Sequence, residues 1–383
     1  MHLQALDRER LEQALALARL SIGSTEPNPR VGCVIGDAAG NILGQGATQA
    51  AGMAHAEVMA LRDAGAAGAA VQGATAWVTL EPCAHHGRTP PCCDALIAAG
   101  IARCVVALQD PNPSVQGAGI ARMRAAGIQV DLVEDPGLVA AAREINVGFL
   151  SRFERGRPWV RLKLAASLDG RSALPDGRSQ WITGQAARDD GHRWRKRASA
   201  VLTGIGTVLA DDPRLDVRAV TTAVQPLRVV LDSQLRTPLG ARLLQAPGTA
   251  LIVGCSGHAG AAQALRDCGA EVWDDTAAGA PLSLSRLLTR LADRGVNELH
   301  VEAGATLNAS WLASGLVDEI LLYVAPLFIG PGRPMADLAE LSGLEAAQRW
   351  HVSRCDLLGG DLRLLLTARA SALATPCSGE QAR

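Results

Sequence analysis

The sequence predicts an α/β protein of two domains, and three observations predict it. At 383 residues the chain exceeds what one hydrophobic core usually organises. Short apolar runs alternate with helix-patterned segments through both halves, as in sheets covered by helices. Between the halves, Ser151–Pro158 is polar, charged and ends in Gly-Arg-Pro, which makes it the best linker candidate. The expected domains are residues 1–150 and 158–369, with 370–383 as a loose tail.

In the first half, Leu11–Leu20 carries helical periodicity and Gly23–Pro29 is rich in turn formers. Val31–Ile35 reads as a buried strand, and Asn41–Gly44 begins its hairpin partner. His55–Ala64 has helix-forming composition and runs into the Ala/Gly-rich Ala64–Ala70, a helix end and loop. Ala74–Leu80 reads as a strand and Cys92–Gly100 as a helix ended by glycine. A strand at Cys104–Leu108, a helix over 118–126 closed by Gly127 and a strand at Ile128–Val133 follow, and this half is expected to be complete by about Leu150. In the second half, strands are expected at Trp159–Ala165, Ala200–Leu202, Leu227–Leu231, Thr249–Val253, Glu298–Glu302 and Glu319–Val324, again alternating with helices and without repeating the first half.

Apolar residues make up 48% of the chain and charged residues 20%, the balance of a folded globular protein. Aromatics at 3% leave an aliphatic core that depends on close backbone approach. The net charge of −1 and the lack of a long Lys/Arg run argue against a nucleic-acid partner. The densest basic stretch, His192–Arg197, reads as a solvated helix face, although phosphate on a small substrate stays open. Met1–Arg10 is charged and has no signal-peptide core, and no apolar run reaches membrane-spanning length, so a cytoplasmic protein without a membrane partner is expected. Nine cysteines, an odd number scattered through the chain, suit reduced thiols and metal binding better than a disulfide framework.

Three features combine into a metal site: His55-Ala56-Glu57, Glu81-Pro82-Cys83 and Cys92. A catalytic zinc takes three protein ligands and keeps one position open for water, a requirement met by His55, Cys83 and Cys92. Glu57, two residues past His55, is placed to reach the open position, take a proton from the water and deliver it to a departing nitrogen. Both cysteine segments are expected to open helices whose dipoles favour thiolates. His-x-Glu followed by Pro-Cys-x-x-Cys is the general zinc deaminase signature; here eight residues, Ala84–Pro91, separate the cysteines. His85, His86 and Cys93 are substitute ligands in principle, but His85 and His86 in a Gly/Pro loop suit a substrate mouth better. Cys33, Cys104, Cys255, Cys268, Cys355 and Cys377 lack partner spacing and read as packing.

The runs Pro27-Asn28-Pro29-Arg30-Val31-Gly32-Cys33-Val34, His55-Ala56-Glu57 and Thr79-Leu80-Glu81-Pro82-Cys83-Ala84-His85-His86-Gly87-Arg88-Thr89-Pro90-Pro91-Cys92 resemble the bifunctional riboflavin-biosynthesis deaminase/reductase family, which has this long loop between its cysteines. The resemblance implies a cytidine-deaminase-like α/β/α sandwich that deaminates 2,5-diamino-6-(5-phosphoribosylamino)pyrimidin-4(3H)-one to the corresponding uracil with release of ammonia. Asn28 is then either a base or ribose contact or a turn residue flanked by prolines.

In the second half, Gly204-Ile205-Gly206-Thr207 follows a strand but fails as a dinucleotide fingerprint, because Leu209 stands where the third glycine belongs and no acidic residue follows at the expected place. Glu302-Ala303-Gly304-Ala305-Thr306-Leu307-Asn308 is a better phosphate site, since it leaves a strand and opens a helix with free N–H groups. Lys163–Arg171, Ser179–Thr183, Thr207–Pro213 and Val301–Gly304 resemble the same family's reductase half, which is dihydrofolate-reductase-like and uses NADPH. That resemblance implies NADP contacts at Ala165, Trp181, Thr207, Asp211, Ser233 and the segment Gly304, Ala305, Thr306, Leu307, Asn308, Ala309, Ser310. It implies substrate contacts at Ser179, Arg195, Leu215, Arg218 and Glu302. Arg195 and Arg218 suit a ribose phosphate, whereas Arg193 and Arg197 read as ordinary surface arginines. Trp181 either stacks on a cofactor ring or is a half-buried core residue. Lys163 and Asp169 are candidates for polarising or protonating the sugar, or else charges in solvent at a strand end. The expected complement is one zinc ion, NADPH, phosphorylated ribosylaminopyrimidine substrates and further copies of the chain. Two other readings are a nucleic-acid base deaminase with an accessory second domain and a purely structural zinc with four protein ligands.

Overall fold

A computed structural model describes residues 4–85, 90–276 and 282–368. The chain forms two compact units divided between Gly156 and Arg157. The expected tail 370–383, with Cys377, lies outside the described residues.

The first unit runs α1 (Ala5–Leu20), β1 (Gly32–Gly36), β2 (Ile42–Ala47), α2 (Ala56–Ala66), β3 (Thr75–Val78), α3 (Cys92–Ala98), β4 (Arg103–Val106), α4 (Ala118–Ala125), β5 (Gln129–Leu132), α5 (Pro136–Ile145) and α6 (Val147–Arg155). Its sheet has the order β2-β1-β3-β4-β5. β1 pairs antiparallel with β2 and β3, and β3, β4 and β5 are parallel. α1 covers one face, where Ala14 meets Gly32, and α2 covers the other. Close approach on that second face is what seats the metal site. A Cβ on Gly46 would stand 2.5 Å from the Ala56 carbonyl oxygen, so only glycine lets the start of α2 lie directly on β2.

Helices α5 and α6 were not expected. α5 has an Asp135 cap whose side chain accepts from the Leu138 N–H, with Pro136 in the first turn, a start signal present in the sequence. α6 corrects the linker reading of Ser151–Pro158 and the end of the first domain at 150: Ser151–Arg155 is helix, and only Gly156–Pro158 connects. The charges that looked like a linker lie on a helix whose Phe149, Leu150 and Ser151 are buried, and Arg152 stacks on Phe153 at 4.7 Å.

The second unit runs β6 (Trp159–Ser167), β7 (Arg171–Ala173), α7 (Gln185–Arg197), β8 (Ala200–Gly204), α8 (Ile205–Asp211), β9 (Leu227–Leu231), α9 (Arg242–Gln245), β10 (Ala250–Cys255), α10 (Ala259–Asp267), β11 (Glu271–Thr276), α11 (Leu284–Asp293), β12 (Glu298–Val301), α12 (Ala305–Ala313), β13 (Glu319–Ala325), β14 (Arg333–Pro334), β15 (Trp350–Leu358) and β16 (Asp361–Ala368). The main sheet has the order β11-β10-β9-β8-β12-β6-β13-β16-β15. It is parallel from β11 to β13 and ends in the antiparallel strands β16 and β15. From β8 the chain moves on to β9 on one side, and from β12 to β13 on the other. The reversal between β8 and β12 makes a topological switch point, outside whose carboxyl ends ligands usually bind in such sheets.

β11 and the β15–β16 hairpin were missed. β15 is exposed along almost its whole length, and the inward positions of β16 include Asp361 and Arg363, so neither strand shows an apolar alternation. Among the described residues no helix is long and apolar enough to cross a membrane.

Candidate active sites

His55 stands in extended conformation at the N-cap of α2, Glu57 lies in that helix's first turn, Cys83 is in the loop after β3, and Cys92 opens α3. His55 Nδ1 is 3.7 Å from Cys83 Sγ and 3.3 Å from Cys92 Sγ, and the three donor atoms lie within 4.8 Å of one another. Two thiols and an imidazole converging from three directions fit a zinc ion that keeps a fourth position open. Among the described residues no fourth side chain joins the cluster. Cys93 Sγ turns to Asp94 and His85 is exposed; His86 lies outside the described residues. Cys83 does not open a helix as expected; instead its sulfur accepts the Cys92 N–H at 3.4 Å.

Burial pushes the Glu57 carboxyl up to about 7, reinforced by the charge of Cys83. The hydrogen bond between the two sulfurs draws the Cys83 thiol down to about 4 and pushes Cys92 up. His55 is raised by its bond to Cys83. Glu57 is 3% exposed and its carboxylate reaches Cys92. A carboxyl poised near neutrality can both accept and return a proton.

Glu81 belongs to the Glu-Pro-Cys run, with no ligand or proton-transfer role expected of it. It is 4% exposed, and its carboxylate accepts four backbone N–H groups, from Asp110 (3.2 Å), Gly117 (3.0 Å), Gly119 (3.0 Å) and Ile120 (3.2 Å). This ties the start of α4 to the segment that carries Cys83. Gly119 is required there, because a Cβ would fall 1.9 Å from the Pro82 oxygen. Glu81→Gln turns amide hydrogens toward backbone donors and strands two of them. We expect metal loss to a chelator to accelerate about tenfold, read as zinc content against time. Asn28 lies half-buried in a turn held by buried Arg30, whose backbone exchanges hydrogen bonds with the Asn146 side chain at 2.8 and 2.9 Å. The unexpected junction of α5 and α6 therefore positions this turn.

In the second unit, Glu298, His300 and Glu302 alternate along and just beyond β12 and meet residues of α7. Glu298 Oε2 accepts from Arg161 and Arg197, each at 2.9 Å. Glu302 accepts a two-pronged contact from Arg195, Nε at 2.5 Å and Nη2 at 2.9 Å. The solvated-face reading therefore fails for Arg195 and Arg197, although Arg193 is 64% exposed; the charged helix face meets charged strand residues. Burial alone would raise the Glu302 carboxyl, but Arg195 outweighs it and holds it well below the usual range. Burial draws the Lys163 ammonium down, opposed by Glu302.

The other expected contacts gather mainly at the carboxyl edge of the parallel strands: Ala165 on β6, Thr207 in α8 after β8, Ser233 after β9, and Gly304 through Ser310 after β12. Gly304 caps α12, and the N–H groups of Ala305, Thr306 and Leu307 open that helix. Leu307 packs on Gly204, Ala309 is half-buried, and Ser310 Oγ donates back to the Thr306 oxygen. Asn308 is buried and its side-chain nitrogen bonds the Ala303 and Met335 carbonyls at 3.1 and 2.8 Å, so it braces the turn. Ser179 is half-buried, Asp211 is exposed, and Trp181 is 66% exposed with the Arg188 guanidinium 4.6 Å from its ring centre, which rules out a core role. Leu215 is buried with positive φ, and Arg218 bonds Asp216 at 2.9 Å. Asp169 accepts from Ser167 and from the Ile329 and Gly330 N–H groups, which lowers it to about 2. It is a loop staple and no proton donor.

His192 on α7 accepts the Arg218 N–H at 3.5 Å. Burial, then Arg195 and Arg218, lower it from 6.5 to about 4. Above pH 6.5 it contributes no pH dependence. As pH falls from 6.5 to 4, the unfolded chain binds a proton that the folded one refuses, so stability drops by roughly 2–3 kcal/mol through this group. Acid titration of melting should show a shallower slope in His192→Gln.

These features define a class: a cytidine-deaminase-like metal unit joined to a dihydrofolate-reductase-like α/β unit. Residues 5–108 match the cytidine and deoxycytidylate deaminase zinc-binding region, and residues 158–361 match the RibD C-terminal domain. The riboflavin biosynthesis protein RibD of Escherichia coli K12 is 43% identical over 94% of this chain and 99% of its own, and that of Aquifex aeolicus is 40% identical over 94% and 98%. The solved structure of Acinetobacter baumannii RibD superposes with a TM-score of 0.85 at 42% identity, covering 94% and 98% of the two chains. A Thermotoga maritima diaminohydroxyphosphoribosylaminopyrimidine deaminase/5-amino-6-(5-phosphoribosylamino)uracil reductase superposes with a TM-score of 0.82 at 30% identity, covering 95% and 99%. The chain belongs to the RibD family of bifunctional riboflavin-biosynthesis deaminase/reductases.

Proposed function

We propose that the first unit deaminates 2,5-diamino-6-(5-phosphoribosylamino)pyrimidin-4(3H)-one to 5-amino-6-(5-phosphoribosylamino)uracil, and that the second reduces the ribosyl group to give 5-amino-6-(5-phosphoribitylamino)uracil. The observation that carries this reading is Glu57, buried and raised to about 7, beside the convergent His55, Cys83 and Cys92. Zinc held by those three residues would supply Lewis acidity and bring a water towards deprotonation at neutral pH. Glu57 takes a proton from the attacking water and returns it to the departing ring amine, which leaves as ammonia while the ring carbon gains oxygen. Asn28 is proposed as a base or ribose contact, a reading supported by its braced turn.

In the second unit the switch point between β8 and β12 suits a dinucleotide, with the open N–H groups of α12 towards phosphate. NADPH there would supply the hydride for the ribosyl carbon. Ala165, Trp181, Thr207, Asp211, Ser233 and Gly304–Ser310 are its proposed surroundings, with Asn308 acting as a brace. Arg195 and Arg218 hold the ribose phosphate, Glu302 accepts from a ribose hydroxyl, and Ser179 and Leu215 line the same substrate. Half-buried Lys163, two residues from Ala165, is left as the candidate that polarises the sugar. The protein is further proposed to be cytoplasmic and to self-associate without nucleic acid.

The test is metal removal. Chelated protein should lose ammonia release and regain it with zinc, while NADPH oxidation on the deaminated substrate stays unchanged. Equal loss of both in folded protein contradicts the assignment of one metal site to one reaction.

A further inference from the structure

His300 is fully buried on β12, opposite Arg161 of β6 and Val201 of β8. Neither ring nitrogen makes a well-formed hydrogen bond among the described residues, and the acceptor it leans on is the Glu302 carboxylate, although buried polar groups are almost always fully paired. Its Nε2 lies 3.4 Å from Glu302 Oε1, and Arg195 already engages both oxygens of that carboxylate. The charges acting on the imidazole are Glu302, Arg161 and Arg195; Glu298 pairs with Arg161 and Arg197, and Lys163 feels Glu302. Burial lowers the imidazole's affinity for a proton, opposed by the hydrogen bond and charge of Glu302, and in its neutral form the ring carries a single N–H. An adjacent carboxylate favours that hydrogen on Nε2.

We propose that His300 is a positioning residue for the reductase substrate, donating its Nε2–H to Glu302 once the substrate's phosphate draws Arg195 off that carboxylate. This rests on the reading that Arg195 and Glu302 both contact substrate. A phosphate competing for the Arg195 fork would leave Glu302 a charged, largely enclosed carboxylate in need of a donor. His300 is the weakly engaged donor at hand, and a ring reorientation with about half an ångström of closure turns its 3.4 Å contact into a normal bond. The new bond keeps Glu302 ionised and aimed at the ribose hydroxyl while leaving Arg195 free for phosphate.

Two polar substitutions separate this role from simple packing. His300→Gln keeps an amide donor where Nε2 stands, and His300→Asn withdraws it. Reductase kinetics on 5-amino-6-(5-phosphoribosylamino)uracil should show KM raised about tenfold in His300→Asn and nearly restored in His300→Gln. NADPH affinity by fluorescence titration should be unchanged in both. In a Glu302→Gln background, His300→Asn should add nothing. Equal KM in the Asn and Gln variants overturns the proposal, and so does loss of NADPH binding in both, which would make His300 structural. Glu302→Gln alone tests the underlying reading: unchanged KM there removes the substrate contact and the proposal with it. A raised KM there, with Asn and Gln alike at position 300, removes the proposal only.

Discussion

Glu57→Gln should abolish ammonia release, by about 10²–10⁴-fold, while NADPH oxidation on the deaminated substrate continues at the unmodified rate. The substitution keeps the size of a buried side chain and removes only its ability to carry a proton. The three metal donors come from the N-cap of α2, the loop after β3 and the start of α3, and none depends on a charge at position 57, so zinc content should stay at that of the unmodified protein. Uncharged Gln also relieves the burial that raises Glu57, so the first unit should melt no lower than before. Ammonia assay, metal analysis and melting on one preparation check all three expectations. A variant that loses zinc together with activity would assign Glu57 to holding the metal.

Arg195→Ala should do the converse and cost stability as well. It leaves Glu302 without its fork contact and beside Lys163 and His300 alone, and breaking a buried pair on one side typically costs about 3–5 kcal/mol. Reductase activity should fall by at least about a hundredfold, with ammonia release retained. Arg195→Lys should rescue little, because an ammonium cannot reproduce the two-pronged contact. Adding Glu302→Gln to Arg195→Ala should recover melting temperature without recovering reduction, since the stranded charge disappears and the phosphate contact does not return. Recovery of both would mean that Arg195 serves only the fold.

Much of the first unit was legible because its chemistry sits on strong local signals. His55-Ala56-Glu57 opens a helix and the cysteines flank a turn-rich loop, so ligand spacing and element boundaries agreed. What escaped was long-range. The four N–H groups on Glu81 come from residues 110–120, and no local pattern announces that a glutamate in a metal motif will brace a distant helix. The Asp135-Pro136 start of α5, by contrast, is a local signal. In the second unit the parallel strands were legible as apolar runs, but β15 and β16 were not, because their residues meet solvent or form ion pairs. Arg197 and His192 looked like surface charges for a related reason: helix periodicity shows which residues share a face, and it does not show that the opposing strand carries Glu298 and Glu302. The switch point between β8 and β12 follows from strand order, which no stretch of sequence displays.

The central claim is two successive reactions on one chain, and identifying products by mass tests it most directly. Purified protein incubated with the diaminopyrimidine phosphate alone should yield only the uracil, in which an amino group has been exchanged for oxygen, together with ammonia. With NADPH added, the product should carry two further hydrogens on its sugar. Reduction without prior deamination, or no reduction of the uracil when NADPH is present, would contradict the account.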